Sequence, residues 1–275
     1  MMKSRLWTLC LVAICFAATS CNGYEKVLKS NDFEAKYALA MQYYEENSYS
    51  KAIQLFENLV MYYRGKEHTE NILWYYANAL LKEEDYYTAA YQFKRFSRQF
   101  PYSTHVEEAV YLSAYCKYLQ SPAHTLDQSQ TKEAVDEFER FAERYPQSVH
   151  IPEVNKYLDE LREKLMLKEY DIAMGYYTIE AYHAAYISLG NFINLYPDSP
   201  KREEAMFYQL RSGFEYGINS TDAKMKERLQ QTTNDFEKFV ASFPESKYLS
   251  EAQSIYTKSK AALANLEEKQ KEKKQ

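Results

Sequence analysis

Residues 89–103 read Ala89-Ala90-Tyr91-Gln92-Phe93-Lys94-Arg95-Phe96-Ser97-Arg98-Gln99-Phe100-Pro101-Tyr102-Ser103. A small residue at 89 is followed by rings at 93, 96 and 100, offsets of four, seven and eleven that keep one face of an α-helix in line. Pro101 follows directly. It lacks an N–H and clashes with the preceding turn, so the helix stops there. The arrangement recurs from Ala52 (Phe56, Leu59, Tyr63), Ala134 (Phe138, Phe141, Tyr145), Ala185 (Leu189, Phe192, Tyr196) and Thr232 (Phe236, Phe239, Phe243). Pro146, Pro197 and Pro244 close the last three copies, with Ser148, Ser199 and Ser246 two positions on. The copy at Ala52 departs, carrying Arg64 and Lys66 in those places. A helix, a stop and a restart, five times over, predict an all-α solenoid of five helix pairs forming a superhelix. Arrays of that kind bind more often than they catalyse.

A second feature places the first helix of each pair. Glu followed by a small or β-branched residue stands five positions after each of those serines: Glu108-Ala109, Glu153-Val154, Glu204-Ala205 and Glu251-Ala252, with Glu34-Ala35 equivalent in the first repeat. The reading makes Ser the N-cap and puts Glu in the first turn, where the helix dipole favours negative charge. Ser199-Pro200 would then set proline at the first helical position. Repeat phases are 37, 45, 51 and 47 residues apart, so the later repeats carry insertions. The first is a polar loop at Gln120–Gln130. The second is an overlong helix from about Pro152 to Tyr177, with Val154, Leu158, Leu161, Leu165, Ile172 and Tyr176 on one face. Asn219-Ser220-Thr221 marks a turn in the fifth repeat.

The chain has 275 residues, a formal net charge of −5 and just six Gly and seven Pro, a composition suited to a helical protein. Lys3 and Arg5 precede an uncharged apolar run from Leu6 to Ala18, which reads as a cleaved export signal. The run is short for an anchor helix. Loss of Lys3 and Arg5 takes the charge to about −7, and no basic face points to nucleic acid. Ala18-Thr19-Ser20-Cys21 resembles the lipobox of bacterial lipoproteins, with Ala18 where that family more often has Leu. The resemblance implies cleavage before Cys21 and acylation of Cys21, which holds a protein to a membrane without spanning it. The alternative is ordinary secretion with an incidental cysteine. Of the four cysteines, Cys10 and Cys15 leave with the leader and Cys116 remains, too few for an intramolecular disulfide. Cys116 is expected to pack as a small hydrophobe.

These residues resemble the tetratricopeptide repeat. The segment Ser121-Pro122-Ala123-His124-Thr125-Leu126-Asp127-Gln128, running on through Ala134, Phe138, Phe141 and Tyr145-Pro146-Gln147-Ser148, is similar to the third repeat of the BamD family. That family comprises the outer-membrane assembly lipoproteins of the β-barrel assembly machine. Lys168-Glu169-Tyr170-Asp171-Ile172-Ala173 through Tyr196-Pro197 resembles its fourth repeat, and the likeness covers about residues 30–250. It implies a non-enzymatic scaffold, lipid-anchored at the periplasmic face of the outer membrane. Its partners would be the periplasmic domains of the central barrel-assembly protein, accessory assembly lipoproteins and unfolded outer-membrane proteins. Asn22, in place of the Asp that retains many lipoproteins at the inner membrane, favours the outer one.

The expected organisation is a signal peptide at 1–20, a tether at 21–30, five repeats within 31–266 (31–66, 67–102, 103–147, 148–198, 199–266) and a disordered tail at 267–275. Six isolated glycines offer no phosphate-cradling loop. The five histidines, His68, His105, His124, His150 and His183, have no second ligand at metal spacing. No cofactor, metal or enzymatic activity is expected. His124, in the inserted loop, reads as a solvated loop histidine or a functional one. If the first helix of each pair faces inward, the inner face carries Tyr37, Met41 and Tyr44; Trp74, Asn78 and Leu81; and Tyr111, Tyr115 and Tyr118. Rings with polar tips suit peptide capture, and they suit packing between helices equally. Two other functions stay open: a different periplasmic repeat lipoprotein that organises envelope or peptidoglycan machinery, and an extracytoplasmic hydrolase or carbohydrate binder.

Overall fold

The computed structural model describes residues 23–63 and 68–272. The leader, Cys21, Arg64, Lys66 and the last three residues lie outside the described residues. A helical segment at 23–29 is followed by α1 (Phe33–Glu45), α2 (Tyr49–Tyr62), α3 (Thr69–Lys82), α4 (Tyr86–Gln99), α5 (Val106–Leu119) and α6 (Ser129–Arg144). Then come α7 (Ile151–Thr178), α8 (Tyr182–Leu195), α9 (Arg202–Ile218), α10 (Asp222–Ser242) and α11 (Leu249–Glu272). Among the described residues there is no strand. The fold is an all-α stack of helix pairs.

Each quoted stripe is the buried face of a second helix. Ala52, Phe56 and Leu59 of α2, Ala89, Phe93 and Phe96 of α4, and Ala134, Phe138 and Phe141 of α6 are 0 % exposed. Each apolar side chain of that size contributes about 1.5–3 kcal/mol on leaving water. The alanine lets the partner helix approach, and the rings fill the space below it. Phe100, Tyr145, Tyr196 and Phe243 are the C-caps ahead of the prolines.

Three turns between paired helices share one solution. Asn47, Glu84 and Glu180 take φ values of 58°, 64° and 60°. The following N–H groups of Ser48, Asp85 and Ala181 reach back to the carbonyls of Tyr43, Leu80 and Tyr176 at 2.8, 3.0 and 2.9 Å. This is the Schellman closure of a helix end, usually built with glycine.

The structure corrects the helix starts. Ser103, Ser148, Ser199 and Ser246 are not N-caps. Each Oγ accepts the N–H two residues on, from His105, His150, Lys201 and Tyr248 at 3.0–3.2 Å. The hydroxyl closes a turn of its own before the helix begins. The caps are therefore His105 and Lys201, and Pro200 lies in the turn ahead of α9. The stretch read as a tether is helical at 23–29: Tyr24 donates its hydroxyl to the Lys51 carbonyl at 3.2 Å and to Gln54 Oε1 at 3.0 Å. A helix this short shows no apolar period. α11 continues to Glu272, past the end of the apolar stripe at Leu266. Its Glu, Lys and Gln are good helix formers, and Glu267 pairs with Lys226 at 3.2 Å.

The chain divides into two compact units, the first comprising residues up to Pro122 with Gln128–Leu161, the second Ala123–Asp127 with the residues from Arg162 on. In the first, each of α1 to α5 packs on its successor and α1 also touches α3. In the second, α8, α9, α10 and α11 follow the same rule, and α9 also touches α11.

Candidate functional site

Aromatic residues recur at one position of each first helix: Tyr37 on α1, Trp74 on α3, Tyr111 on α5, Tyr170 on α7 and Phe207 on α9. The first three are spaced by 37 residues, as are the last two. Each is covered by the residue immediately before the next first helix. His68 lies over Tyr37 at 6.2 Å between centroids, His105 stacks on Trp74 at 4.4 Å, and His150 stacks on Tyr111 at 3.9 Å. Lys201 Nζ sits 5.1 Å from the centre of the Tyr170 ring, and Tyr248 stacks on Phe207 at 4.4 Å. A flat ring or a cation thus closes over an aromatic face at each of these joints. Histidines with no metal-ligand partner in the sequence find their role here.

The motif glutamates hold the same joints. Tyr111 donates its hydroxyl to Glu153 at 2.9 Å, and Tyr118 donates to Glu160. His150 Nε2 and Glu108 Oε2 are 2.7 Å apart. In the second unit Arg211 reaches Glu251 at 2.9 Å, and Ser246 donates to Glu203 at 2.6 Å. Glu34 accepts the Tyr63 hydroxyl at 2.5 Å. All of these carboxylates except Glu160 sit in first turns, as the dipole favours, and also reach a neighbouring element.

Carboxylate acceptors and burial keep the phenols neutral. The bond to Glu34 and burial push Tyr63 up to about 12, and the bond to Glu160 with burial does the same for Tyr118. Burial, then Glu153, raises Tyr111; burial, then Glu204, raises Tyr170. Ionisation would set a phenolate against a carboxylate in a poorly hydrated joint.

The nine residues expected on the inner face fall into three settings. Tyr37, Met41 and Tyr44 are half-buried in the first core, with Tyr44 edge-on to Tyr49 and Tyr75 at 5.5 and 5.2 Å. Trp74 and Leu81 are half-buried, and Asn78 spends an amide hydrogen on the Trp74 carbonyl at 2.8 Å. Tyr111 is 6 % exposed and packs between helices. Tyr115 and Tyr118 are half-buried and converge on Tyr157 of α7 at 5.5 and 4.4 Å. The sequence reading missed Tyr157. Its signal was a register of 42 residues, shared by Tyr115–Tyr157, Tyr111–Glu153 and Tyr118–Glu160.

The inserted loop is fastened in the second unit. His124 Nε2 lies 3.0 Å from Asp171, and Lys168 donates to the Thr125 carbonyl at 2.9 Å. Cys116 is fully buried, and that burial pushes its thiol up to about 12, so it packs as a small hydrophobe. Among the described residues no helix is long and apolar enough to cross a membrane.

A model of the family YfiO, described as an outer membrane lipoprotein, matches residues 29–211 and 171–270. No curated protein sequence matches significantly. Among solved structures, the TPR2AB domain of yeast Sti1 in complex with pHSP90 is 9 % identical, with a TM-score of 0.37 over 83 % of this chain and 98 % of that one. A Podosopora anserina putative kinesin light chain with nearly identical TPR-like repeats is 13 % identical, with a TM-score of 0.31 over 78 % and 97 %.

Proposed function

The chain belongs to the YfiO family of outer membrane lipoproteins, and on that premise we propose that it is a scaffold of the β-barrel assembly machine. As an outer membrane lipoprotein built of tetratricopeptide-type helix pairs it works by holding other proteins. In the proposed role Cys21 is acylated and keeps the chain at the periplasmic face. Repeats four and five bind the periplasmic domains of the central assembly protein, accessory lipoproteins join it, and repeats one to three receive unfolded barrel proteins. Binding alone supplies the driving force.

The observation that carries this reading is the extent of the family match, residues 29–270, which takes in α1 to α10 and most of α11. The inner-face candidates remain Tyr37, Met41, Tyr44, Trp74, Asn78, Leu81, Tyr111, Tyr115 and Tyr118. Because His68, His105 and His150 cover one face each of Tyr37, Trp74 and Tyr111, a client would meet those three at their edges. Tyr44 and Tyr115 are the better tests of peptide capture. Replacing both with Ala should weaken binding of an extended peptide ending in an aromatic residue by at least about tenfold, the loss of two modest anchors.

Capture of the acylated protein from mildly solubilised membranes tests the assignment. The central assembly protein should come down with it. Recovery of a peptidoglycan-organising complex in its place would move the chain to that second role.

A further inference from the structure

The first unit carries a basic and aromatic stripe that the overall charge of −5 conceals. On α4, Tyr87 and Tyr91 are 72 % and 62 % exposed, and Tyr102 just beyond the helix is 99 % exposed. Lys94, Arg95 and Arg98 share this helix, and with Tyr91 and Gln99 they line a shallow cavity of about 280 Å³. Lys94 is paired with Glu137 at 2.5 Å, whereas neither arginine has an ion pair among the described residues. The counterparts of Tyr91, Lys94, Arg95 and Arg98 on α6 are Asp136, Glu139, Arg140 and Glu143, so the neighbouring helix of the same type keeps one arginine but carries three acids there.

The N-terminal segment lies on the same side of the unit. α2 and α4 are in register at 37 residues, which makes Lys51, Gln54 and Met61 the counterparts of Thr88, Tyr91 and Arg98. Tyr24 is seated on this face of α2 through the Lys51 carbonyl and Gln54 Oε1, and it packs edge-on against Tyr43 at 5.5 Å. The described helix reaches back to residue 23, two positions after Cys21 in the sequence. Two residues span at most about 7 Å, so an acyl chain on Cys21 enters the bilayer close to the first unit.

We propose that the outer face of α4, with Tyr87, Tyr91, Arg95 and Arg98 at its centre, rests on the anionic phospholipid headgroups of the membrane that the Cys21 acyl chains enter. Three features match that occupant. Tyrosines with an apolar body and a polar tip favour the headgroup layer. Unpaired arginines engage phosphodiesters by paired hydrogen bonds. Acyl chains hold a protein to the bilayer without setting which face it turns to it, and an electrostatic contact near the anchor fixes that orientation. The inference rests on acylation of Cys21.

The test uses the acylated chain in vesicles of phosphatidylethanolamine and phosphatidylglycerol, some headgroups carrying a nitroxide quencher. A fluorophore is placed on Gln99→Cys, beside the stripe, or on Asn71→Cys, exposed on α3; the buried Cys116 stays unlabelled. Flotation reports the anchor and quenching reports the docked face. We expect the label at 99 to be quenched well beyond the label at 71. Arg95→Glu with Arg98→Glu should lose that excess, as should Tyr87→Ser with Tyr91→Ser, which alters only exposed rings. Salt at about 1 M, where screening falls to about 3 Å, should lose it too. A chain that floats but is quenched equally at both positions overturns the docking and leaves the anchor standing. A chain that does not float overturns both.

Discussion

Tyr111 on α5 donates its hydroxyl to Glu153 Oε2 on α7 at 2.9 Å while its ring lies flat on His150 at 3.9 Å. Ring, acid and histidine together join the third first helix to the fourth. The residue is therefore a joint as well as a candidate contact for a client. Tyr111→Phe should destabilise the protein by about 0.5–1.5 kcal/mol, the net worth of one hydrogen bond, because the exposed Glu153 regains water. Tyr111→Ala should cost more, about 3–5 kcal/mol, because the cavity adds to the lost bond. Urea unfolding measures both. In a cycle with Glu153→Gln, additive losses would show that the two side chains do not act together.

Alkaline titration reads the tyrosine–carboxylate pairs. Tyr63 and Tyr118 are pushed up to about 12 from an ordinary value of 10.0. With a folded-state value above the unfolded one, their stabilisation is complete below pH 10 and is lost as the pH climbs through about 12. Phenolate absorbance should show a late step near pH 12, diminished in Tyr63→Phe, with the melting temperature falling across the same window. A single transition near the ordinary value, with unchanged melting, would remove these pairs from the account.

The strained turns offer a gain. Glu84 and Glu180 sit at φ 64° and 60°, where a side chain costs about 1–2 kcal/mol that glycine avoids. Glycine also gives the unfolded chain more freedom, worth about 0.4–1 kcal/mol, so a net gain of about 1 kcal/mol is expected for each. Asn47, at φ 58°, should gain less, since asparagine tolerates this region. Thermal melts of the three single Gly variants give the ranking. A fall in stability for Glu84→Gly would contradict it.

Period and punctuation made the array legible. The stripe from Ala89 to Phe100 shows its helix in sequence because one buried face repeats every three or four residues. The extent of α7 was legible too, but its expected face is buried at Val154, Leu158 and Leu161 and not at Ile172 and Tyr176, which are exposed; Tyr170 and Ala173 are the buried residues there. Contacts between helices were not legible. His105 on Trp74 and Glu153 beneath Tyr111 depend on how neighbouring repeats are registered, and a single helix does not display that. The serines misled because their hydroxyls close a turn just before the cap and not the cap itself. Residues 23–29 are too few to show a period, so a docked helix read as a tether.

Depletion of the protein from its own cell tests the assembly role most directly. Heat-resistant, folded barrel proteins in the outer membrane are quantified as the chain declines, with other lipoproteins as the reference. The account predicts that folded barrels fall while the lipoproteins hold steady. Barrel proteins that keep their normal level and fold throughout depletion would contradict it.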